Sequence, residues 1–468
     1  MTASASAVDL LAALAAGEMS AVELTGSCLD RIAAVDPAIG AVLAVLPDAH
    51  DQAAASDAYR RSHPPRPLEG VPVLVKDNIA VNGLPTTAGS RALAESRPDD
   101  APLVTRLRGA GAVIVAKTNL SEWANFRSTH STSGWSAVGG QTRNPHDLAR
   151  TPSGSSSGSG AAIAAGLAPL AVGTETDGSI IMPAAVCGIV GVKPTLGTVP
   201  GAGIVPISSA QDTAGPMTRS LADAALLLAV LTGTNVPDLS RATLQGARLG
   251  LWTPDGIDAA SAEVLQRAAD ALANAGATVT SVQLDAATLE GDEWPALLTE
   301  FRAEIDAYLA TAPGAAARTL AELVRFNAED PVELSRFGQE IFEQALDAPP
   351  VDDTSYREHR ARATQAAQRM IDEALSQDLD AVVTFSNAPA ELIDYAAGDQ
   401  DEVSTTSPAA VAGYPSVTVP AGVAAGLPIG LSFIGTAGTD EGLLGFAAAF
   451  EAATRALVRP RLPSGLPS

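Results

Sequence analysis

The sequence predicts an α/β protein: one large domain with a mixed β-sheet core covered by helices on both faces. Three observations predict it. Short apolar runs of strand length, at 71–75, 113–116, 248–252 and 277–282, are separated by stretches with helix signals. Strand-like runs of the same kind recur near both ends of the chain without an internal repeat, which argues against separable halves. The chain has 468 residues, 46% hydrophobic and 18% charged, enough to bury a sizeable core.

Residues 7–60 read as helices. Ser20 with Glu23 has the spacing of a capping box, and Leu24, Cys28 and Ile32 share the face that follows. Pro64 to Pro67 ends that segment. The 71–75 strand then carries Lys76 at its carboxyl end, where open α/β sheets hold ligand-contacting groups. Asp99 and Asp100 are expected to cap a helix through Arg108, with Gly109 and Gly111 stopping it before the 113–116 strand. Residues 121–144 read as a polar loop holding Trp123, Phe126 and Trp135. Aromatics make up 4% of the chain, so three in one loop suit either a pocket wall or loop anchors.

Further along, Ser220 and Asp223 start a helix to Leu231, with Gly233 behind it. A strand at 248–252, a helix at 260–274 and a strand at 277–282 follow. Residues 289–377 turn helical with acid-rich connections, the pattern of an insertion that covers or shapes a site. A strand at 380–385, a turn at 386–389, paired strands at 416–420 and 429–435, and a helix at 441–457 close the chain.

Composition removes several function classes. The formal charge of −24 comes without a basic patch, against nucleic-acid binding and against anionic membrane surfaces. Cys28 and Cys187 give neither a disulfide framework nor a metal spacing, and the five histidines never pair at i,i+3 or i,i+4; no metal or cofactor is expected. The amino terminus has no basic, apolar leader pattern, and no apolar run reaches membrane-spanning length. A cytoplasmic protein is expected.

Residues 150–195 concentrate the chemistry. Arg150-Thr-Pro-Ser-Gly-Ser-Ser-Ser-Gly-Ser-Gly160 is followed by a small-residue connector, then Gly173-Thr-Glu-Thr-Asp-Gly-Ser-Ile-Ile-Met-Pro183 and Gly191-Val-Lys-Pro-Thr195. The connector leaves room for a short helix and a short strand, so the two glycine-serine turns must lie close together. A flexible linker does not fit a run hemmed in by apolar segments, and a phosphate loop would need a Gly-Lys-Ser/Thr ending or a spaced G-x-G-x-x-G. Among 29 basic residues only Lys76, Lys117 and Lys193 are lysine. Unlike arginine, a desolvated lysine can lose its proton and serve as a base. Ser179, in a tight Asp-Gly-Ser-Ile turn, is the candidate nucleophile. The N–H groups of Thr176, Asp177, Gly178 and Ser179 can converge on a tetrahedral oxyanion. A Ser-Lys arrangement would activate it. The relay can be Ser153, Ser155, Ser156, Ser157 or Ser159, and the base Lys76 or Lys117.

The stretch 154–195 resembles the amidase signature family, whose hallmarks are Gly-Gly-Ser-Ser-Gly-Gly-Ser, Gly-Thr-Asp-x-Gly-Gly-Ser-Ile-Arg-x-Pro and Gly-x-Lys-Pro-Thr. The likeness extends over nearly the whole chain. It implies one amidase-signature domain over 1–468, with N-terminal helices at 1–65, a catalytic core at 66–240 and the helical insertion at 289–377. It also implies that Ser179 is the nucleophile, that Ser155 is the serine on a cis peptide, and that Lys76 in Val-Lys-Asp-Asn is the base. The oxyanion donors then fall on Thr176, Asp177, Gly178 and Ser179. Ser153, Ser157 and Asp177 replace family glycines, and Ile181 stands where Arg is usual. The variant motifs, with Asn119-Leu-Ser-Glu-Trp-Ala-Asn125 and Ser133-Gly-Trp-Ser136, look like the branch that includes bacterial peptide amidases, which release ammonia from carboxyl-terminal peptide amides. Trp123, Ser131, Gly134, Trp135 and Phe385 are the expected substrate-side residues. The Phe385-Ser-Asn-Ala388 turn departs from the family's Pro-Thr pattern. The resemblance implies an amidohydrolase acting through an acyl-enzyme on peptide amides or other linear amides, without an obligate protein partner. The alternatives are an aryl-amide or carbamate (urethane) hydrolase on the same residues, or the catalytic component of a tRNA-dependent amidotransferase.

Overall fold

The computed structural model describes residues 5–400 and 403–462. In chain order the elements begin α1 (Ala7–Ala16), α2 (Ala21–Ile39), β1 (Val42–Val45), α3 (Ala49–Arg60), β2 (Pro72–Lys76), α4 (Pro102–Gly109) and β3 (Val113–Thr118). Next come a small hairpin of β4 (Trp135–Ser136) and β5 (Gly140–Gln141), then α5 (Ser157–Ala164), β6 (Leu170–Glu175), α6 (Ile181–Val186), β7 (Val190–Lys193) and β8 (Thr213–Thr218). The second half has α7 (Leu221–Thr232), β9 (Arg248–Trp252), α8 (Ala259–Asn274) and β10 (Thr278–Val282). Four helices follow, α9 (Glu290–Thr311), α10 (Leu320–Glu329), α11 (Glu340–Asp347) and α12 (Thr354–Leu375). The chain closes with β11 (Ala381–Phe385), α13 (Ser407–Ala412), β12 (Ser416–Ala424), β13 (Leu427–Ile434) and α14 (Asp440–Thr454).

Eleven strands form one mixed sheet in the order β1-β3-β2-β6-β8-β7-β12-β13-β11-β9-β10. Every residue of β2, β3, β6, β8, β11 and β13 is buried. Successive side chains of a strand point to opposite faces, so a strand buried throughout is covered on both. This is the α/β architecture expected. Among the described residues no helix is long and apolar enough to cross a membrane.

Local signals hold where they are strong. Ser20 and Glu23 close the capping box of α2, Ser220 caps α7 through the Asp223 N–H, and Gly233 ends α7 in the left-handed region at φ 76°. Cys28 is fully buried, as its helical face required. Four expectations need correction. The 7–60 segment is not all helix: Gly40, at φ 67°, stops α2, and β1 pairs antiparallel with β3 at the sheet edge. Asp99 and Asp100 do not cap α4. Ala101 stands at the cap with Pro102 behind it, while Asp100 accepts the Asn82 N–H at 2.8 Å and pairs with Arg108 at 2.8 Å. The last helix ends at Thr454, where Arg455 turns left-handed at φ 49°, short of Leu457. A further strand, β8, runs through the centre of the sheet where Gly215 and Pro216 hide the strand pattern. Gly215 is required there, because a Cβ would stand 1.9 Å from the Val192 carbonyl oxygen.

Candidate active site

Parallel pairing of β2 with β6 places Val75 opposite Val172, so their carboxyl ends deliver Lys76 and Thr174 to one spot. Lys76 Nζ lies 2.8 Å from Ser155 Oγ, 2.9 Å from Thr174 Oγ1 and 3.2 Å from the Thr174 carbonyl oxygen. Asn78 Nδ2 donates to the same Thr174 hydroxyl at 2.9 Å. Lys76 and Ser155 are both fully buried. Burial lowers the Lys76 ammonium from the usual 10.5 to about 7, against the opposing pull of the Asp212 and Glu175 carboxylates. A neutral amine has two N–H groups, and Thr174 offers two acceptors. The lone pair is then free for the Ser155 hydroxyl.

The other lysines have different partners. Lys117 forms an ion pair with Asp77 at 2.9 Å, and Lys193 donates to the Tyr414 carbonyl. The serines sort in the same way. Ser156 Oγ donates to the Thr174 carbonyl at 3.0 Å, Ser157 Oγ to the Ser153 carbonyl at 2.6 Å, and Ser159 Oγ to the Val172 carbonyl at 3.2 Å. Among the described residues, Ser155 is the serine whose hydroxyl meets Lys76. The Gly154–Ser155 peptide bond is cis.

Ser179 sits on the turn between β6 and α6. Gly178 makes that turn at φ 77°, and a Cβ on it would stand 2.4 Å from Met182 Sδ. The Glu175 carboxylate accepts the N–H groups of Ile180 and Ile181 at 2.7 and 2.9 Å. The Ser156 N–H donates to the Ser179 carbonyl at 3.1 Å, which ties the two glycine-serine turns together. Among the described residues the N–H groups of Asp177, Gly178 and Ser179 have no acceptor within the protein. The Thr176 hydroxyl donates to Asp212 Oδ1 at 2.6 Å.

Two cavities meet at Ser179. The larger, about 480 Å³, has apolar walls from Phe126, Met182, Trp294 and Leu297. Its polar wall includes acceptors. The amide nitrogens of Asn125 and Asn387 are held by Ser133 Oγ at 2.8 Å and the Ala388 carbonyl at 3.0 Å, and both Oδ1 atoms are buried without a donor. Asp177 and Glu293 also line this cavity. Burial, and then the Asp177 charge, raises the Glu293 carboxyl above its ordinary range. The smaller cavity, about 10 Å³, reaches Ser155, Thr174, Asn78 and Asp212.

Lys76, Ser155, Thr176, Asp177, Gly178 and Ser179 are thus brought together, whereas the five expected substrate-side residues do not line the larger cavity. Trp123 packs edge-on against Phe342 at 5.8 Å, and Trp135 against Phe337 at 5.1 Å. Ser131 accepts the Asp399 N–H through its carbonyl at 3.0 Å, and the Gly134 N–H donates to Ser121 Oγ at 2.9 Å. Phe385 is buried in the core at the end of β11. Trp123, Ser131, Gly134 and Trp135 brace the loop; Asn125, Phe126 and Ser133 beside them reach the cavity. Sequence reasoning also passed over Thr174, Asp212, Glu293 and Asn387. Thr174 and Asn387 stood inside stretches already singled out, but Glu293 came from a helix without any motif.

The Amidase family model matches residues 23–444. The crystal structure of the peptide amidase from Stenotrophomonas maltophilia shares 45% identity, covers 98% of this chain and 99% of its own, and superposes with a TM-score of 0.93. A glutamyl-tRNA(Gln) amidotransferase subunit of Symbiobacterium thermophilum is 36% identical over 482 residues, 94% of this chain and 95% of that protein. A probable amidase of Arabidopsis thaliana is 34% identical over 476 residues, 95% of this chain and 89% of that protein. On the extent of the family match and of these relatives, the chain belongs to the amidase signature family and is a hydrolase of carbon–nitrogen bonds in amides.

Proposed function

We propose that this chain deamidates carboxyl-terminal peptide amides through a Ser179–Ser155–Lys76 relay. The observation that carries the proposal is the buried 2.8 Å contact between Lys76 Nζ and Ser155 Oγ, on a cavity that Ser179 shares. Ser179 Oγ attacks the amide carbon as its proton passes to Ser155, whose own proton passes to Lys76. The free N–H groups of Asp177, Gly178 and Ser179, with that of Thr176, receive the oxyanion. The relay then runs backwards: the C–N bond breaks, the nitrogen takes the proton, and ammonia leaves. Water, deprotonated through the same two residues, hydrolyses the Ser179 ester.

The acyl side fits a peptide. Its cavity of about 480 Å³ is apolar on one side and lined by acceptors on the other, which suits peptide N–H groups. The 45% identity to a peptide amidase supports the same substrate class. Ser179→Ala and Lys76→Ala are each expected to lower kcat by on the order of 10⁴-fold or more with the fold intact. Ammonia release from a peptide amide, with circular dichroism alongside, measures both; appreciable turnover by either folded variant removes that residue from the relay. The likeness to the amidotransferase relative favours a second reading, in which turnover needs a partner. Ammonia release by the purified chain alone separates the two. Amine release from an anilide and a carbamate ranks the remaining rivals.

A further inference from the structure

The two cavities at Ser179 differ in one respect that bears on the leaving group. Ser155 lines the small cavity and is absent from the walls of the large one. Resting on the relay proposed above, the leaving nitrogen must receive its proton from Ser155, so it must lie on the small-cavity side while the acyl group fills the large one. The small cavity offers about 10 Å³, which is about the space that a single water occupies.

Part of its lining is apolar: Ala124, Ile204, Val205 and Ile207, of which the last three are 8%, 6% and 5% exposed. The wall is also held in place. The Val205 N–H donates to the Asn78 carbonyl at 2.8 Å, fastening it to the end of β2. The Asp212 carboxylate accepts the N–H groups of Ile207 and Ser208 at 2.8 and 3.0 Å and the Thr176 hydroxyl at 2.6 Å, fastening it to the nucleophile turn. A pocket tied to both halves of the site cannot widen without disturbing the site.

We infer that the small cavity is a leaving-group pocket sized for ammonia, and that Ile204 and Val205 confine the enzyme to unsubstituted carboxamides. When the C–N bond breaks, the nitrogen carries the proton that came from the Ser179 hydroxyl, and the NH₃ occupies the pocket. Water of the same size replaces it and attacks the ester. A methylamide, an anilide or an internal peptide bond would need to place a carbon where the wall stands. The large cavity imposes no such limit on the acyl group.

The test compares kcat/KM for one peptide presented as its primary amide and as its N-methylamide, in the wild type and in Ile204→Ala and Val205→Ala. One carbon in a tight pocket is worth about 10- to 200-fold. The wild type is therefore expected to favour the primary amide by about 100-fold, and each variant to narrow that ratio by about tenfold. Trapping the acyl-enzyme gives a second readout: ammonia is expected to compete with water and re-form the amide in the wild type, and methylamine to do so only in the variants. A wild type that cleaves the methylamide as fast as the amide overturns the inference even if neither variant folds. So does an unmoved ratio in a folded, active variant. Absence of ammonia release from every primary amide would instead sink the relay, and this inference with it.

Discussion

At the residue scale, Lys76 decides the pH behaviour. Its ammonium is brought down to about 7 by burial, and only the neutral amine can take the Ser155 proton. The lowered value puts protonation on the acid side: below about 7 the native enzyme carries a charged Lys76, and above it the base is free. kcat/KM for a neutral peptide amide is therefore expected to fall about tenfold per pH unit well below 7 and to level off above it. A profile that is flat from pH 5 to 8 would exclude Lys76 as the base. The candidate nucleophile was legible in the sequence for chemical reasons, and the base was narrowed to Lys76 or Lys117. Lysine is rare in this chain, and Ser179 stands in a turn that only glycine allows. Ser155 was not separable from its four neighbouring serines by residue type. What separates Ser156, Ser157 and Ser159 from it is that the backbone carbonyls of residues 174, 153 and 172 already engage their hydroxyls, a three-dimensional fact.

At the element scale, the loop that carries Asn125 and Phe126 is held from beneath by one buried cation. Arg127 is fully buried, 3.0 Å from Glu122 Oε1 and 3.5 Å from Glu333 Oε2, with its guanidinium 4.3 Å over the Phe337 ring. It joins the loop to the segment between α10 and α11, and the Phe126, Phe301 and Phe342 rings pack across the same seam. Removing one partner of a buried ion cluster leaves the remaining charges uncompensated, at a cost of about 3–5 kcal/mol. Arg127→Met is expected to destabilise by that amount, read as a shift of the denaturant midpoint. The triple variant Arg127→Met, Glu122→Gln, Glu333→Gln should recover most of it; if the triple is as unstable as the single, the loss is one of packing and not of charge. This seam also marks where the sequence stopped being informative. Three aromatics in one loop were noticeable, but nothing local told Phe126, which reaches the cavity, from Trp123 and Trp135, which anchor the loop. The distinction depends on helices that start more than 150 residues later. Helix and strand positions fared better, because caps and apolar runs are local; β8 escaped because Gly215 and Pro216 answer to its neighbours across the sheet.

At the scale of the whole molecule, a formal charge of −24 surrounds a cavity whose own wall carries Asp177, Glu290 and Glu293. Both levels of charge favour a cationic acyl group, yet they differ in how salt acts on them. The long-range field is screened as the Debye length shrinks from about 30 Å at 0.01 M to about 8 Å at 0.15 M, whereas a buried carboxylate in contact with its partner is screened much less. Between those salt concentrations, kcat/KM for an arginine-containing peptide amide is expected to fall about three- to tenfold, while that for a neutral peptide amide stays nearly constant. Glu293→Gln separates the two contributions when the comparison is made at about pH 9, because burial raises the Glu293 carboxyl to about 8 and it carries its charge only above that. The substitution then removes one of the cavity's charges and changes the net charge by one unit only. The variant should lose selectivity for the arginine peptide at high salt and keep most of the salt dependence. If wild-type selectivity for the arginine peptide is absent at both concentrations, the acidic wall does not read the substrate's charge, and the molecule's negative field is left to serve solubility alone.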